Sequence, residues 1–316
     1  MFRSTVVFAA LLAVPAAWGQ TIISARSGMV NYVEGSVRLA GEPLKLDGAI
    51  FPEVKVGQTL STEAGHAEVL LTPGVFLRLD RNSSFRMVSN KLTNTQVEIL
   101  SGSALVETDE LLKDNRIAIK MGDSETVLVK PGLYHFNADS GQIRTFDGKA
   151  QVSAAANSAE LKGGRTLLVG SALNAGKFDK RKSMDELYLW SQQRDYRLAL
   201  ANVSTARSLN PSSFTAGSSL WAWDPWLGSF TFLPGSGRIY SPFGLSWYSP
   251  QTVWIAFQPP PSPSTDYSAS NSGWQGTSPS SYSSAPSANT STGAVSAPAT
   301  SSSSAVAAGA SAARGR

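Results

Sequence analysis

Gly28-Met-Val-Asn-Tyr-Val-Glu-Gly35, running on into Ser36-Val-Arg-Leu39, returns farther along the chain as Gly141-Gln-Ile-Arg-Thr-Phe-Asp-Gly148 followed by Lys149-Ala-Gln-Val152. Between the glycines of each copy, apolar residues fall on alternate positions, the period at which a strand turns one face to a core. Glycine at both ends supplies the backbone freedom of a turn, so each copy reads as a short strand closed by a turn at either end. Each copy then reaches a lysine-glycine turn before another strand, Lys55-Val-Gly57-Gln-Thr-Leu60 and Lys162-Gly-Gly164-Arg-Thr-Leu167. One such unit cannot bury its apolar face alone, and its recurrence predicts stacked or layered sheets.

Working outward, residues 20–172 read as strands almost throughout. Ala67-Glu-Val-Leu-Leu71 and Val75-Phe-Leu-Arg-Leu79 flank Thr72-Pro-Gly74, and Ile117-Ala-Ile-Lys-Met121, Val127-Leu-Val129 and Leu133-Tyr-His-Phe-Asn137 continue the pattern. Short strands at regular spacing with Gly, Pro, Asn or Asp between them predict an all-β domain, a layered β-sandwich or a β-solenoid. Only Asp109-Glu-Leu-Leu-Lys113 suggests a helical turn. Over 173–210 the period changes. Ser183-Met-Asp-Glu186 fits a capping box, Leu187, Trp190, Leu198 and Ala201 share a helical face, and Asn210-Pro211 stops the run. The spacing predicts one helix over 184–207. Residues 211–258 are nearly uncharged and carry Trp221, Trp223, Trp226, Trp247 and Trp254. Proline interrupts their aromatic runs, so none reads as a central strand over its full length. From 259 to 316 the chain is Ser, Ala, Pro, Thr and Gly, too poor in apolar surface to offset its ordering entropy, and reads as disordered.

Met1–Gly19 has the form of a cleavable signal peptide: Arg3, an apolar stretch from Val6 to Val14, then Ala17-Trp-Gly19 before Gln20. That apolar stretch falls short of the roughly 20 residues a membrane span needs, and no later run reaches it. The expectation is a periplasmic, secreted or cell-surface protein with no transmembrane segment in the mature chain. With 0 cysteines there is no disulfide framework, so packing alone must hold the fold. A net charge of +4 is mild, and interspersed signs give no basic stripe for nucleic acid. The cluster Lys177, Lys180, Arg181 and Lys182 reads as a solvated junction before the helix.

The glycine-bounded strands, Val56-Gly-Gln-Thr-Leu-Ser-Thr62 leading to Ala67-Glu-Val-Leu-Leu71, and Leu77-Arg-Leu-Asp80 together resemble the FecR domain family over residues 26–155. Gly141 to Val152 corresponds to the family's later G-x-V-x-V repeat. Asp185-Glu-Leu-Tyr-Leu-Trp190 with Arg194 resembles the helix that follows this domain in exported members, and the block containing Asp224-Pro-Trp226 and Phe230-Thr-Phe-Leu-Pro234 resembles what comes after it. The resemblance implies an extracytoplasmic, non-catalytic β-domain. In the best-known members that domain senses an outer-membrane transporter and signals across the membrane to a sigma factor. This chain has no cytoplasmic regulatory region before its apolar segment, which argues against a transmembrane anti-sigma role.

A search for chemistry finds little. The 2 histidines, His66 and His135, read as surface residues and are too few for a histidine metal site. Nucleophile elbow, zinc-protease helix, P-loop and dinucleotide fingerprint are all missing. Asn137-Ala-Asp-Ser-Gly141 begins like a calcium loop, but Gly148 stands where the closing glutamate belongs, so a hairpin turn is the better reading. Asp109 with Glu110 and Asp185 with Glu186 are adjacent in sequence, and nothing in the sequence gathers an acid–base set. No catalytic residue, cofactor or metal is expected. The aromatic block reads first as cover for an open sheet. If it holds a binding surface, Trp221, Trp223, Trp226 and Trp247 are the candidate contacts. The function expected is an envelope-associated binding or scaffolding protein whose partner is a protein or a cell-wall glycan. The alternatives are a periplasmic relay to a separate regulator and a polysaccharide-active enzyme.

Overall fold

The computed structural model describes residues 22–23, 27–46, 51–170, 173–209 and 217–258. The expected signal peptide and Ser/Ala/Pro-rich tail lie outside them. Among the described residues eighteen strands and two helices follow in order: β1 (Ile22–Ile23), β2 (Met29–Leu39), β3 (Glu42–Pro43), β4 (Thr59–Leu70), β5 (Val75–Leu79), β6 (Ser84–Lys91), β7 (Asn94–Ser101), β8 (Ser103–Thr108), β9 (Arg116–Met121), β10 (Ser124–Asn137), β11 (Gln142–Ala154), β12 (Asn157–Lys162), β13 (Arg165–Leu168) and β14 (Gly176–Lys177), then α1 (Glu186–Ser208), β15 (Leu220–Asp224), β16 (Ser229–Leu233), β17 (Arg238–Tyr240), β18 (Ser246–Tyr248) and α2 (Pro250–Ala256). The chain is all-β in class, with one long helix after the strand-rich region, as the alternation predicts.

Pairing closes into a ring. From β10 the order runs β8, β5, β4, β6, β7 and β9, and β9 pairs with β10 again. Every pair in this barrel-like sheet is antiparallel except β7–β9. A solenoid stacks parallel strands, whereas these run antiparallel but for one pair, and the sheet closes on itself as a barrel. Two long strands make closure feasible by changing partners midway. The start of β4 pairs with β6 and its end with β5; the start of β10 pairs with β9 and its end with β8.

The repeated segments lie against these turning strands, β2 along β4 and β11 along β10. Gly28 and Gly141 do precede their strands in turns. The second glycines depart from expectation: Gly35 and Gly148 sit inside continuing strands, at positive φ (70° and 91°), where the ladder shifts register. They form bulges, which bend a strand without ending it. A Cβ on Gly35 would collide with the Ala64 carbonyl, and one on Gly148 with Tyr134 Oη. Gly35 faces Gly65, whereas Gly148 lies beside Gly132 and accepts a hydrogen bond from Gly163 N (3.1 Å). The two lysine-glycine turns are therefore not equivalent. Lys55-Val-Gly57 leads into β4, while Lys162-Gly-Gly164 joins β12 to β13; it is Gly132, where a Cβ would meet the Asp147 carbonyl, that serves the second bend as Gly65 serves the first.

The barrel interior is one apolar cluster including Val69, Leu77, Phe85, Val106, Tyr134 and Phe136. Strand β5 is buried at every position, so its outward face is covered too. Helix α1 and the β15–β16 hairpin form the cover. Trp221, Phe230, Phe232, Trp247 and Leu198 pack on Leu70 and Phe76, and Leu187 and Tyr188 pack on Leu105, Leu133 and Phe146. Each large apolar side chain buried this way is worth roughly 1.5–3 kcal/mol, enough to make the cover integral to the β-domain. The described residues accordingly fall within one compact unit.

Three local expectations change. Residues 109–113 hold no helix, only a turn at Lys113–Asp114. Helix α1 is capped by Asp185, which accepts from Tyr188 N at 3.0 Å, and not by Ser183. Ser183 belongs to the preceding turn, donating its amide to the Lys180 carbonyl. Both histidines are buried, not on the surface. His66 lies in β4, stacked on Trp190 at 4.8 Å with Nε2 3.2 Å from Asp80; His135 lies in β10 with Nε2 3.1 Å from Asp185. Once α1 covers β4 and β10, an outward-pointing strand residue no longer points to water.

Candidate functional site: a buried charged seam and an exposed tryptophan

Between the two apolar patches of the cover runs a seam of charge. Alternation along three adjacent strands sends Glu68, Arg78 and Glu107 outward toward α1, with Glu68 directly opposite Arg78 and Glu107 diagonal to it, opposite Phe76. The helix answers with Arg194 and Asp195, which share its buried stripe with Leu187, Ser191, Leu198 and Asn202. Arg78 Nε donates to Glu68 Oε2 at 2.8 Å, and its Nη1 donates to Glu107. Arg194 Nη2 donates to Glu68 Oε1 at 2.8 Å, and Asn31 Nδ2 donates to the same oxygen at 2.9 Å. Arg194 also lies over the ring of Tyr32, 4.0 Å from its centroid. Burial alone would raise the Glu68 carboxyl, but the charges and hydrogen bonds of Arg194 and Arg78 overcome it and hold it at about 2.

Glu107, Asp109 and Asp195 converge at the far end of the seam, each offering an oxygen within 4.8 Å of the others. All three are buried. Burial, then the charge of Glu107, pushes Asp109 and Asp195 well above the ordinary carboxylate range, with Arg78 opposing in both cases. Ser241 Oγ lies 2.9 Å from Glu107 Oε1 and 2.5 Å from Asp195 Oδ2. A hydroxyl has one proton to give, so one of these contacts needs a proton on a carboxyl. Formally, four carboxyl groups face two guanidinium groups, Arg78 and Arg194, which leaves two negative charges in excess. Protons on Asp109 and Asp195, whose acidity burial weakens, would remove that excess.

The sequence reading missed this convergence because its members are scattered from Asn31 to Ser241. A signal was present nonetheless. Glu68, Arg78 and Glu107 each interrupt a run that is apolar on both faces, and such strands are covered on both sides.

The four candidate tryptophans separate. Trp247 is fully buried, stacked over Phe76 at 6.0 Å, and Trp221 meets Phe76 edge-on at 5.0 Å. Both are interior packing with no face free for a ligand. Trp223 is half-buried, edge-on to Phe51 at 4.9 Å. Trp226 is 94% exposed. It stands on the β15–β16 turn, and one side chain fixes that turn. Asp224 Oδ1 accepts from the amides of Trp226 (3.0 Å) and Leu227 (2.8 Å), while Oδ2 accepts from Ser204 (2.7 Å) and Thr205 (3.0 Å) of α1. Beside it an open groove of about 430 Å³ is lined by Arg197, Leu200, Ala201, Ser204, Trp226 and Leu227.

Comparisons with known proteins add no family. No family model matches the sequence, and no curated protein matches it either. Two crystal structures of a proposed anti-sigma factor from Parabacteroides distasonis ATCC 8503, at 1.65 and 2.50 Å resolution, are similar at 14% and 15% identity, each with a TM-score of 0.36. The likeness covers 42% of this chain and 64% of that one, less than two thirds of its length. Among the described residues no helix is long and apolar enough to cross a membrane.

Proposed function

We propose that this protein is a non-catalytic, exported binding or scaffolding module of the cell envelope, that its β-domain is of FecR type, and that Trp226 is its principal contact. The observation that carries the reading is the presentation of Trp226. An indole almost wholly in water, on a turn pinned by four hydrogen bonds to Asp224, loses little conformational freedom on binding. The apolar floor of Leu200 and Leu227 and the charge of Arg197 surround it, a combination suited to stacking on a sugar ring while bonding its hydroxyls. The converging carboxylates support a non-catalytic reading because they lie sealed beneath α1. A cell-wall glycan is the ligand class proposed first.

Co-sedimentation of the full chain with isolated cell walls tests this, at low and high salt, beside Trp226→Ala. The expected result is salt-resistant pelleting that falls at least fivefold in the variant while its melting temperature stays unchanged. Equal pelleting of the two proteins, or none by either, overturns the glycan reading and directs the search to a protein partner.

A further inference from the structure

We propose that Glu107, Asp109 and Asp195 form a buried calcium site that fastens helix α1 to the β-sheet. The three carboxylates come from the end of β8, the residue just after it, and the middle of α1. Their oxygens lie within 4.8 Å of one another. Oxygens this close can be drawn onto a single cation, whose ligands sit at about 2.4 Å in the case of Ca²⁺. Oxygen donors without sulfur or imidazole select hard cations.

Proximity of acids alone would not identify a site; a second observation does. Asp109 is 4% exposed, yet neither of its oxygens has a hydrogen-bond partner, and Asp195 Oδ1 also lacks one. Buried polar atoms are almost always satisfied, and an ion is one of the few things that can satisfy three carboxylate oxygens at once. The Trp247 indole lies against Asp109, but its single N–H cannot satisfy two carboxylate oxygens. Arg78 reaches only Glu68 and Glu107 and leaves the two aspartates unpaired.

Charge supplies the third argument. The seam holds two negative charges more than its guanidinium groups balance, and one divalent cation cancels that excess as completely as two protons do. Calcium fits a sealed pocket better than magnesium. Magnesium gives up its waters reluctantly and prefers sites that keep several, whereas calcium's looser geometry can take Asp109 through both oxygens together with Asp195 Oδ1 and an oxygen of Glu107.

The test strips the full-length protein with EDTA in urea and refolds it with either EDTA or excess CaCl₂, so that burial cannot block entry. After gel filtration, bound calcium is measured by plasma mass spectrometry and melting by circular dichroism. The expected result is close to one calcium per chain and a melting temperature roughly 5–10 °C higher at a hundredfold excess over Kd. Asp109→Asn should bind less than a tenth as much. Asn lacks the charge but keeps the shape, so this variant should fold in EDTA at least as well as the parent. Refolded protein carrying under 0.1 calcium per chain, with identical melting in EDTA and calcium, overturns the proposal and leaves a proton-neutralised cluster. Binding retained in full by Asp109→Asn overturns it as well, by placing the ion elsewhere. The wild-type stoichiometry and melting shift decide the matter even if the variant fails to fold.

Discussion

Replacing Arg78 by methionine is the sharpest probe of the seam. Arg78 is fully buried, donates to Glu68 and Glu107, and lies 4.9 Å from the Phe76 ring centroid. Methionine keeps most of the side-chain volume, so the cavity contribution is small and the loss is electrostatic. Glu68 retains Arg194 and Asn31, but Glu107 is left with Ser241 alone among three carboxyl groups. Removing one partner of a buried ion pair costs roughly 3–5 kcal/mol, because the remaining charge is stranded out of water. The buried Trp221 and Trp247 report unfolding through fluorescence, so urea titration in EDTA at pH 7 gives the stability directly. Adding Glu107→Gln to Arg78→Met should recover at least half the loss, since the stranded charge is gone. The double-mutant cycle then reads a coupling of about 2 kcal/mol or more between the two positions. A loss below about 1 kcal/mol for Arg78→Met, or strict additivity in the double variant, would refute the account of the seam as a mutually compensated network.

Two further perturbations separate the parts of the fold. Gly148→Ala should cost at least about 2 kcal/mol by thermal melting, because the new Cβ meets Tyr134 Oη and Pro131 O at a positive φ, whereas Gly57→Ala, also at positive φ but in open space, should cost about 1 kcal/mol; equal losses would remove the bend from the explanation. Acid titration tests the carboxylates in EDTA. Glu68 is depressed from 4.5 to about 2, so its contribution, roughly 3 kcal/mol, is present above pH 4.5 and lost as the pH falls toward 2. Asp185 is depressed as well: burial raises it, but His135 and the Tyr188 amide prevail, and its contribution is lost on the same acid side. Asp109 and Asp195 are raised, so their contribution is full below about pH 4 and declines as the pH climbs. Urea titrations across pH 3–9 should therefore place maximum stability on the acid side of neutral with a steep fall below about pH 4; a flat profile would contradict both assignments.

Much of this protein was legible in its sequence because the governing forces are local. Alternation in Ala67–Leu71, Val75–Leu79 and Leu133–Asn137 determined strands, and the glycine pairs marked where the chain must bend, since only glycine takes a positive φ without penalty at a close backbone approach. The change to helical spacing placed α1 within two residues at its start, although its cap is Asp185 and not Ser183. Tertiary structure decided what the outward faces meet. Whether Glu68, Arg78, Glu107, His66 and His135 face water or protein depends on whether α1 and the β15–β16 hairpin fold back over β4, β5, β8 and β10; the two-sided apolar runs of β4, β5 and β8 call for a cover, but no short window of sequence names the segments that supply it. The same folding back put Trp221 and Trp247 inside and left Trp226 outside, although their chemistry is identical. It also carried Asp195, which reads as an ordinary helix residue, to within reach of Glu107 and Asp109. Period and backbone freedom act over a few residues and can be read from the chain; burial and charge compensation arise only between segments far apart in sequence, after the chain has closed upon itself.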